Sequence, residues 1–164
     1  MFGLGVLTIS TSGYQGQRNQ DTSGQAIKEM LGPPDFELVH YEIVSDEKEM
    51  IADRLTSWAD ADDVDLIVST GGTGLGVRDY TPEVCLSIID KEVPGLAEAM
   101  RAKTLQFTPM AMLSRSVAGV RGKTLIITLP GSPKAVRECL DVVKPVLRHA
   151  LELLRDEAGP RHPV

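Results

Sequence analysis

The sequence contains few aromatic residues, few cysteines and few histidines, and each shortage excludes a class of protein. Aromatic residues make up 4% of the 164 residues, whereas the hydrophobic fraction is 42%, so the core must consist mainly of aliphatic side chains. The two cysteines, Cys85 and Cys139, lie far apart in apolar helical patterns, which favours buried free thiols over a disulfide framework. The three histidines show no metal-ligand spacing, so no zinc motif is predicted.

Positive charge is also scarce, which argues against a nucleic-acid partner. The net charge is −6, and the 17 lysines and arginines form no cluster. The apolar segment 1–9 lacks a basic leader and is too short to span a bilayer, so we predict a cytoplasmic protein without membrane association. The length suits one domain, which we assign to residues 1–158, followed by a C-terminal tail at 159–164.

Apolar runs alternate with segments of helical apolar spacing along the whole chain. The predicted strands are 4–10, 36–44, 64–69 and 125–129, and the predicted helices begin after Asp21, near Asp46, at Thr81, at Pro94 and after Ser132. This alternation predicts an α/β fold, a three-layer sandwich with a mostly parallel central sheet. Such folds bind ligands beyond the carboxyl ends of their strands, here after Ile9, Ser69 and Leu129.

A glycine-rich loop follows the third predicted strand. Four glycines fall within residues 71–76, more than a simple turn requires, and backbone amides without neighbouring side chains approach a phosphate or pterin closely. A helix start at Thr81 and Pro82, with Thr81 as the cap, adds partial positive charge. The loop is neither a Walker-type loop nor a dinucleotide fingerprint, because Val77 stands where the first needs lysine and the second needs glycine.

Two aspartates near this edge each have two interpretations. Asp79 either binds Mg²⁺ beside a phosphate or forms a surface ion pair with Arg78. Asp46 is either a catalytic acid or the N-cap of the next helix, because Asp46 and Glu49 have the spacing of a capping box. Residue chemistry alone leaves both alternatives open.

Two later loops carry polar side chains with equally open roles. Segment 114–116 places two hydroxyls around one cation, which suits a phosphate or a pterin edge but also a polar turn. Segment 130–132 ends a strand and opens the last helix, so Ser132 is either a helix cap or a ligand contact. Along the second strand, Val39, Tyr41 and Ile43 are predicted to share one face.

Taken together, these motifs resemble the Mog/MoaB family, which includes molybdopterin adenylyltransferases and the related domains of plant Cnx and animal gephyrin proteins. The matching segments, in family order, are 70–74, 78–83, 94–95, 113–116 and 129–136. The resemblance covers nearly the whole chain. It implies a nucleotidyltransferase that joins molybdopterin to the adenylyl group of ATP in molybdenum cofactor biosynthesis.

The resemblance also implies the reaction and its cofactor. The terminal phosphate of molybdopterin attacks the α-phosphate of ATP, adenylylated molybdopterin forms and pyrophosphate leaves. Asp46 and Asp79 match the two acidic positions important for catalysis, and their implied role is to bind Mg²⁺ and to place the nucleotide. Family members are usually trimers and MoaB-type proteins are often hexamers, so a homotrimer is expected, with a hexamer as the alternative.

The remaining ligand contacts implied by the resemblance come from the same loops. The glycine loop with its flanking threonines would hold phosphate groups, the serines of the later loop would contact the pterin, and the last loop would border the nucleotide. These residues are Thr70, Gly71, Gly72, Thr73, Gly74 and Thr81, then Ser114 and Ser116, then Pro130, Gly131 and Ser132.

The chain departs from the family pattern at two positions. Thr11 follows Ser10 where many relatives carry Asp, and Ser132 stands where Asn or Gln is frequent. The competing hypotheses are a catalytically idle MoaB-like pterin-binding protein, a scaffold and an unrelated α/β nucleotide-binding enzyme. Retention of Asp46 and Asp79 favours the enzyme, and the choice between a molybdenum and a tungsten pathway stays open.

Overall fold

The structure, a computed structural model, describes residues 1–156. The predicted tail at 159–164 and the last residues of the predicted domain lie outside the described residues. The elements are β1 (Phe2–Ile9), α1 (Thr11–Tyr14), α2 (Thr22–Met30), β2 (Phe36–Val44), α3 (Lys48–Ala59), β3 (Leu66–Thr70), α4 (Thr81–Ile88), β4 (Lys91–Glu92), α5 (Pro94–Thr104), a 3-10 helix (Pro109–Leu113), β5 (Ala118–Arg121), β6 (Thr124–Leu129) and α6 (Pro133–Leu154).

The strands form one six-stranded sheet in the order β2-β1-β3-β6-β5-β4. The first four of these are parallel, and β5 and β4 complete one edge in antiparallel pairing. The prediction of a mostly parallel sheet is therefore confirmed. Because parallel strands point the same way, the carboxyl ends of β1, β3 and β6 meet at one edge.

Helices cover both faces of the sheet, as predicted for a three-layer sandwich. On one face α2, α5 and α6 bury aliphatic side chains against β1, β3 and β6, including Ile27, Met100 and Leu140. On the other face α3 and α4 bury a second cluster that includes Leu55 and Trp58. Burial of these side chains on both faces explains why β1, β3 and β6 are almost continuously apolar in sequence.

The prediction that Val39, Tyr41 and Ile43 share one face of β2 is wrong because β2 contains a bulge. The register pairs Leu4 with Leu38 but Gly5 with His40, which leaves Val39 as an extra residue. Val39 packs on the α3 side of the sheet. Beyond the bulge, the Tyr41 hydroxyl donates to Asp21 Oδ2 at 2.7 Å, on the α2 side.

Four short elements, α1, β4, β5 and the 3-10 helix, are absent from the sequence prediction. The strands β4 and β5 span two and four residues, too few for an apolar period to stand out. Helix α1 falls within the predicted loop and is capped by Ser10, whose hydroxyl accepts from Gly13 N at 3.1 Å.

Both cysteines are buried free thiols, as predicted. Burial raises the pKa of the Cys85 thiol to about 12 and that of Cys139 to about 11, which keeps both thiols protonated at neutral pH. Within residues 1–156, no helix is long and apolar enough to cross a membrane.

Candidate active site

Three loops meet at the carboxyl edge of the sheet, where the sequence predicts ligand binding. The glycine loop, residues 71–80, leaves β3 beside the loop that follows β6. Gly71 N donates to Leu129 O at 3.1 Å, and the Thr70 hydroxyl donates to Pro130 O at 2.7 Å. These bonds fix the start of the glycine loop against the loop at 130–132.

The backbone at the start of the glycine loop requires glycine. Gly71 has φ of +101° and Gly72 has φ of +70°, both in the left-handed region that disfavours residues with a Cβ. A Cβ on Gly71 would lie 2.3 Å from Ile9 O, the last carbonyl of β1. The glycines therefore let the loop turn sharply while it touches the neighbouring strand.

Thr81 supports the glycine loop by hydrogen bonds to two of its carbonyl oxygens. Its buried hydroxyl donates to Gly71 O at 2.9 Å, and its amide donates to Gly72 O at 3.1 Å. Helix α4 begins at Thr81 with Tyr80 at the N-cap position, so the predicted capping role of Thr81 is wrong. The side chain that would cap the helix is used to shape the glycine loop.

Arg115 fixes the rest of the loop. Its amide donates to Thr73 O and its Nε donates to Gly74 O, both at 2.8 Å. Its Nη2 donates to Asp79 O at 2.8 Å, and its Nη1 pairs with the Glu83 carboxylate. The carbonyl oxygens of residues 71–74 are therefore all bonded within the protein, by Thr81 or by Arg115.

The backbone amides of the same residues, unlike their carbonyl oxygens, are mostly not hydrogen-bonded within residues 1–156. In the part of the chain that the structure describes, the N–H groups of Gly72, Thr73 and Gly74 have no acceptor. Thr73 is nevertheless buried, with 4% of its surface exposed. All three residues line a cavity of about 500 Å³, which we call the main cavity. The flanking Gly72 and Gly74 are half-buried. Three successive amides without a protein acceptor beside a cavity suit an anion such as phosphate.

Asp79 places one carboxylate in the main cavity, next to these amides. Its Oδ2 accepts from Gly76 N at 2.9 Å, and its Oδ1 has no hydrogen-bond partner among residues 1–156. Nor does Arg78 form an ion pair with Asp79 within those residues, so the surface-pair interpretation is wrong. A carboxylate oxygen beside a phosphate site fits a hard cation such as Mg²⁺, which binds through one or two carboxylates plus phosphate oxygens.

Asp46 is not a helix cap, contrary to one of its two interpretations. Helix α3 begins at Lys48, and its N-cap residue Glu47 makes no side-chain capping bond. Instead Asp46 Oδ2 accepts from Thr11 N at 2.9 Å and from the Thr11 hydroxyl at 2.7 Å. The same hydroxyl accepts from Asp46 N at 3.2 Å. Thr11, which stands where many relatives carry Asp, therefore orients the Asp46 carboxylate.

The two aspartates face different cavities. Asp46 lines a cavity of about 380 Å³ together with Arg78 and Tyr80, which flank Asp79 in sequence. Among residues 1–156, no three His, Cys, Asp or Glu side chains come close enough to hold a metal by themselves. A cation at this edge would therefore rely on single carboxylates and on the phosphate oxygens of a ligand.

The serines of segment 114–116 also line the main cavity. The hydroxyls of Ser114 and Ser116 lie 3.1 Å apart. Arg101, from α5, donates through Nη1 to Ser116 O at 2.7 Å and to Ser114 O at 3.4 Å. Among the described residues that line this cavity, Arg101 is the single Lys or Arg. Arg101 is not among the predicted site residues because it lies on a helix without a local motif.

The loop at 130–132 separates the main cavity from a smaller one. Gly131 lines both, and the smaller cavity of about 220 Å³ is also lined by Thr70 and Gly71. The Ser132 hydroxyl accepts from Ala135 N at 3.2 Å, so Ser132 is the N-cap of α6 and lines the main cavity as well. The helix-cap and ligand-contact interpretations of Ser132 are therefore compatible.

Most of the predicted site residues surround the main cavity. They are Gly72, Thr73, Gly74, Asp79, Ser114, Ser116, Pro130, Gly131 and Ser132. Besides Arg101, residues that sequence reasoning did not anticipate come from α5, the 3-10 helix and α6: Met100, Thr104, Thr108, Met110 and Glu138. Each is an ordinary residue of its element, so no sequence signal marks it.

Comparisons with known proteins identify the family of this chain. A family model described as a probable molybdopterin binding domain matches residues 5–149. A molybdopterin adenylyltransferase from Helicobacter pylori is 44% identical over 156 residues, covering 92% of this chain and 86% of that protein.

Solved structures show the same fold. The molybdopterin biosynthesis enzyme MoaB from Thermus thermophilus is 55% identical with a TM-score of 0.89, covering 95% of this chain and 98% of that one. The tungsten cofactor synthesizing protein MoaB from Pyrococcus furiosus is 36% identical with a TM-score of 0.83, covering 94% and 98%. The chain therefore belongs to the molybdopterin-binding domain family that contains the Mog and MoaB proteins.

Proposed function

We propose that this protein is a molybdopterin adenylyltransferase, a nucleotidyltransferase of molybdenum cofactor biosynthesis that uses ATP and Mg²⁺. One observation carries the proposal: Gly72, Thr73 and Gly74, whose amides have no acceptor among the described residues, line one cavity together with Asp79. This set of groups suits a phosphate and its counter-cation, and the close relative from Helicobacter pylori bears the name of this activity.

The reaction exchanges one phosphoanhydride bond for another. An oxygen of the terminal phosphate of molybdopterin forms a bond to the α-phosphorus of ATP. The bond from that phosphorus to the bridging oxygen breaks, and its electron pair leaves with pyrophosphate. No general base is needed because the attacking phosphate is ionised at pH 7. Catalysis of this type depends on positioning and on charge stabilisation.

The glycine loop supplies fixed donors for that charge. The amides of Gly72, Thr73 and Gly74 would donate to phosphate oxygens in the main cavity. Because Thr81 and Arg115 already hold the loop carbonyls, these donors need little rearrangement when a ligand binds. Preorganised donors of this kind stabilise charge better than water does.

Asp79 would hold Mg²⁺ in the main cavity, and Asp46, which lines the cavity on the other side of segment 78–80, would hold a divalent cation there, each through a single carboxylate. When bound, Mg²⁺ neutralises phosphate charge and favours departure of pyrophosphate. Asp79 has an unused oxygen in the main cavity, and Thr11 orients Asp46 on the other side of segment 78–80.

The two substrates would meet in the main cavity. Ser114 and Ser116 would contact the pterin, and Arg101 would add the cation that an anionic pterin phosphate attracts. The loop with Pro130, Gly131 and Ser132 would border the nucleotide, with Thr70 and Gly71 at the smaller cavity on its other side.

An assay of product formation distinguishes the enzyme from an idle pterin-binding protein. The purified protein is mixed with molybdopterin, ATP and Mg²⁺, and pterin species are separated by chromatography. We expect an adenylylated pterin that disappears when Mg²⁺ is removed by a chelator. Pterin binding by calorimetry without product under any divalent cation would instead establish the idle MoaB-like alternative.

Asp46→Asn is expected to lower the rate of adenylyl transfer by about 30-fold, because the charge that would face the metal is lost. The asparagine side chain keeps an oxygen that accepts from Thr11, so the free energy of unfolding should change by less than about 0.5 kcal/mol. Steady-state rates and thermal denaturation measure the two effects. The control is Asp53→Asn on the exposed face of α3; equal rates in both variants would contradict a role for Asp46.

We also propose that the protein is a homotrimer. Phe107, Met110 and Met112 expose 57%, 62% and 66% of their surfaces, which gives the 3-10 helix region an apolar surface suited to another copy. Light scattering coupled to size exclusion should report about three times 17.8 kDa. A monomer or a hexamer at micromolar concentration would contradict the trimer.

The cytoplasmic location stays a prediction from the sequence.

A further inference from the structure

We infer that Arg115 is a positioning residue, which holds the glycine loop so that the amides of Gly72–Gly74 and the Asp79 carboxylate face the substrates. The inference rests on the proposed function and adds to it a residue that has no contact with substrate. The positive charge of segment 114–116 thus holds the glycine loop and does not bind a ligand.

The hydrogen bonds of the Arg115 guanidinium carry the assignment. Its Nε donates to Gly74 O and its Nη2 to Asp79 O, each at 2.8 Å, and these acceptors lie at both ends of the loop tip. Its Nη1 pairs with Glu83 in the first turn of α4. All three guanidinium nitrogens thus donate to protein, and among the described residues Arg115 is not part of the lining of the main cavity.

Glu83 fixes the guanidinium in turn. The hydrogen bond from Arg115 holds the pKa of the Glu83 carboxyl below its ordinary value, because the guanidinium stabilises the carboxylate form. Because α4 begins two residues earlier, Glu83 is placed by a helix end that also carries Thr81. We call the hydrogen bonds from Arg115 to Gly74, Asp79 and Glu83 the clamp. Through Glu83 the clamp is anchored on helix α4.

The clamp also joins the two sides of the main cavity. The Arg115 amide donates to Thr73 O at 2.8 Å, and the hydroxyls of Ser114 and Ser116, on either side of Arg115, line the cavity. A shift of segment 114–116 would move the glycine loop with it. The residues proposed to contact the pterin and those proposed to contact phosphate are thus held in one geometry.

A lysine cannot replace this function. Its single nitrogen donates from one point, whereas the acceptors on Gly74, Asp79 and Glu83 are served by three nitrogens of a planar group. We therefore expect the charge-conserving variant to behave like the truncated one, which separates positioning by geometry from a general effect of positive charge.

The experiment compares Arg115→Ala and Arg115→Lys with Arg121→Ala. Arg121 is a matched control, because it also pairs with a carboxylate, Asp60, and donates to a backbone carbonyl, but it ends β5 beside the first residue of β6, at the edge of the sheet opposite the site. Each variant is assayed for adenylyl transfer with and without millimolar guanidinium. Amide resonances of Gly72–Gly74 are followed by NMR in ¹⁵N-labelled protein.

We expect both Arg115 variants to lose about 100-fold in kcat with a smaller change in KM, and Arg121→Ala to stay within about twofold of wild type. Guanidinium should restore the alanine variant at least about 10-fold, because it fills the vacated space with the same donors. The amide resonances of Gly72–Gly74 should shift in both Arg115 variants and should stay unchanged in Arg121→Ala.

Unshifted resonances together with wild-type turnover would overturn the inference, as would wild-type turnover in Arg115→Lys. If Arg115→Ala does not fold, Arg115→Lys decides by the same two readouts. If wild-type protein transfers no adenylyl group, the proposed function fails, and the resonances alone then decide whether Arg115 positions the loop.

Discussion

Asp79→Asn is expected to lower the rate of adenylyl transfer by at least about 100-fold, more than any other single carboxylate replacement in the protein. Asp79 is the aspartate that shares the main cavity with the acceptor-free amides of Gly72–Gly74. Without its charge, nothing in the described lining of that cavity except Glu138 offers a carboxylate to a metal.

The asparagine variant keeps the shape of the loop. Its amide oxygen can still accept from Gly76 N, which Asp79 Oδ2 now does at 2.9 Å. The free energy of unfolding should therefore change by no more than about 0.5 kcal/mol. Steady-state kinetics at saturating and limiting Mg²⁺ measure the effect, with Asp53→Asn as the control. An Asp79→Asn enzyme with near wild-type kcat would remove the metal-holding role from this residue.

Gly71→Ala is expected to destabilise the protein by about 2–4 kcal/mol, the largest stability effect that we predict for a loop residue. Two costs add. The residue has φ of +101°, and the new Cβ would lie 2.3 Å from Ile9 O, a backbone atom of β1 that cannot move aside. The loop must shift instead, and the bond from Gly71 N to Leu129 O at 3.1 Å is weakened.

Gly122→Ala separates these two costs. Gly122 also has positive φ, at +58°, but a Cβ there would meet no atom within 4 Å. We expect a loss of about 1 kcal/mol from backbone strain alone. Urea denaturation of both variants measures the difference. Equal losses would show that contact with Ile9 O contributes nothing, and the close approach of the loop to β1 would then be wrong.

The sequence predicts the centre of the fold better than its edges. The strands β1, β3 and β6 are aliphatic and buried on both faces, so their apolar runs are unmistakable. At the edge, β4 is the exposed pair Lys91–Glu92, and only pairing with β5 makes it a strand. The bulge at Val39 is likewise a property of pairing with β1, which no local pattern reveals.

The candidate site likewise has a part that the sequence predicts and a part that it does not. The glycine loop is predictable because its residues have unusual backbone needs, and those needs are visible in Gly71 and Gly72. The N-cap interpretation of Asp46 fails because Thr11, 35 residues away in sequence, takes its carboxylate. Partnerships of this range, including those of Arg101 and Arg115 with distant carbonyls, depend on the assembled fold.

The most direct test of the central claim follows the label of ATP to its destination. Wild-type protein is incubated with molybdopterin, Mg²⁺ and ATP labelled either at the α-phosphate or at the γ-phosphate, and the pterin is separated from pyrophosphate. We predict that the α label appears on the pterin and the γ label in pyrophosphate. Label on the pterin from the γ position, or from neither, would contradict adenylyl transfer at this site.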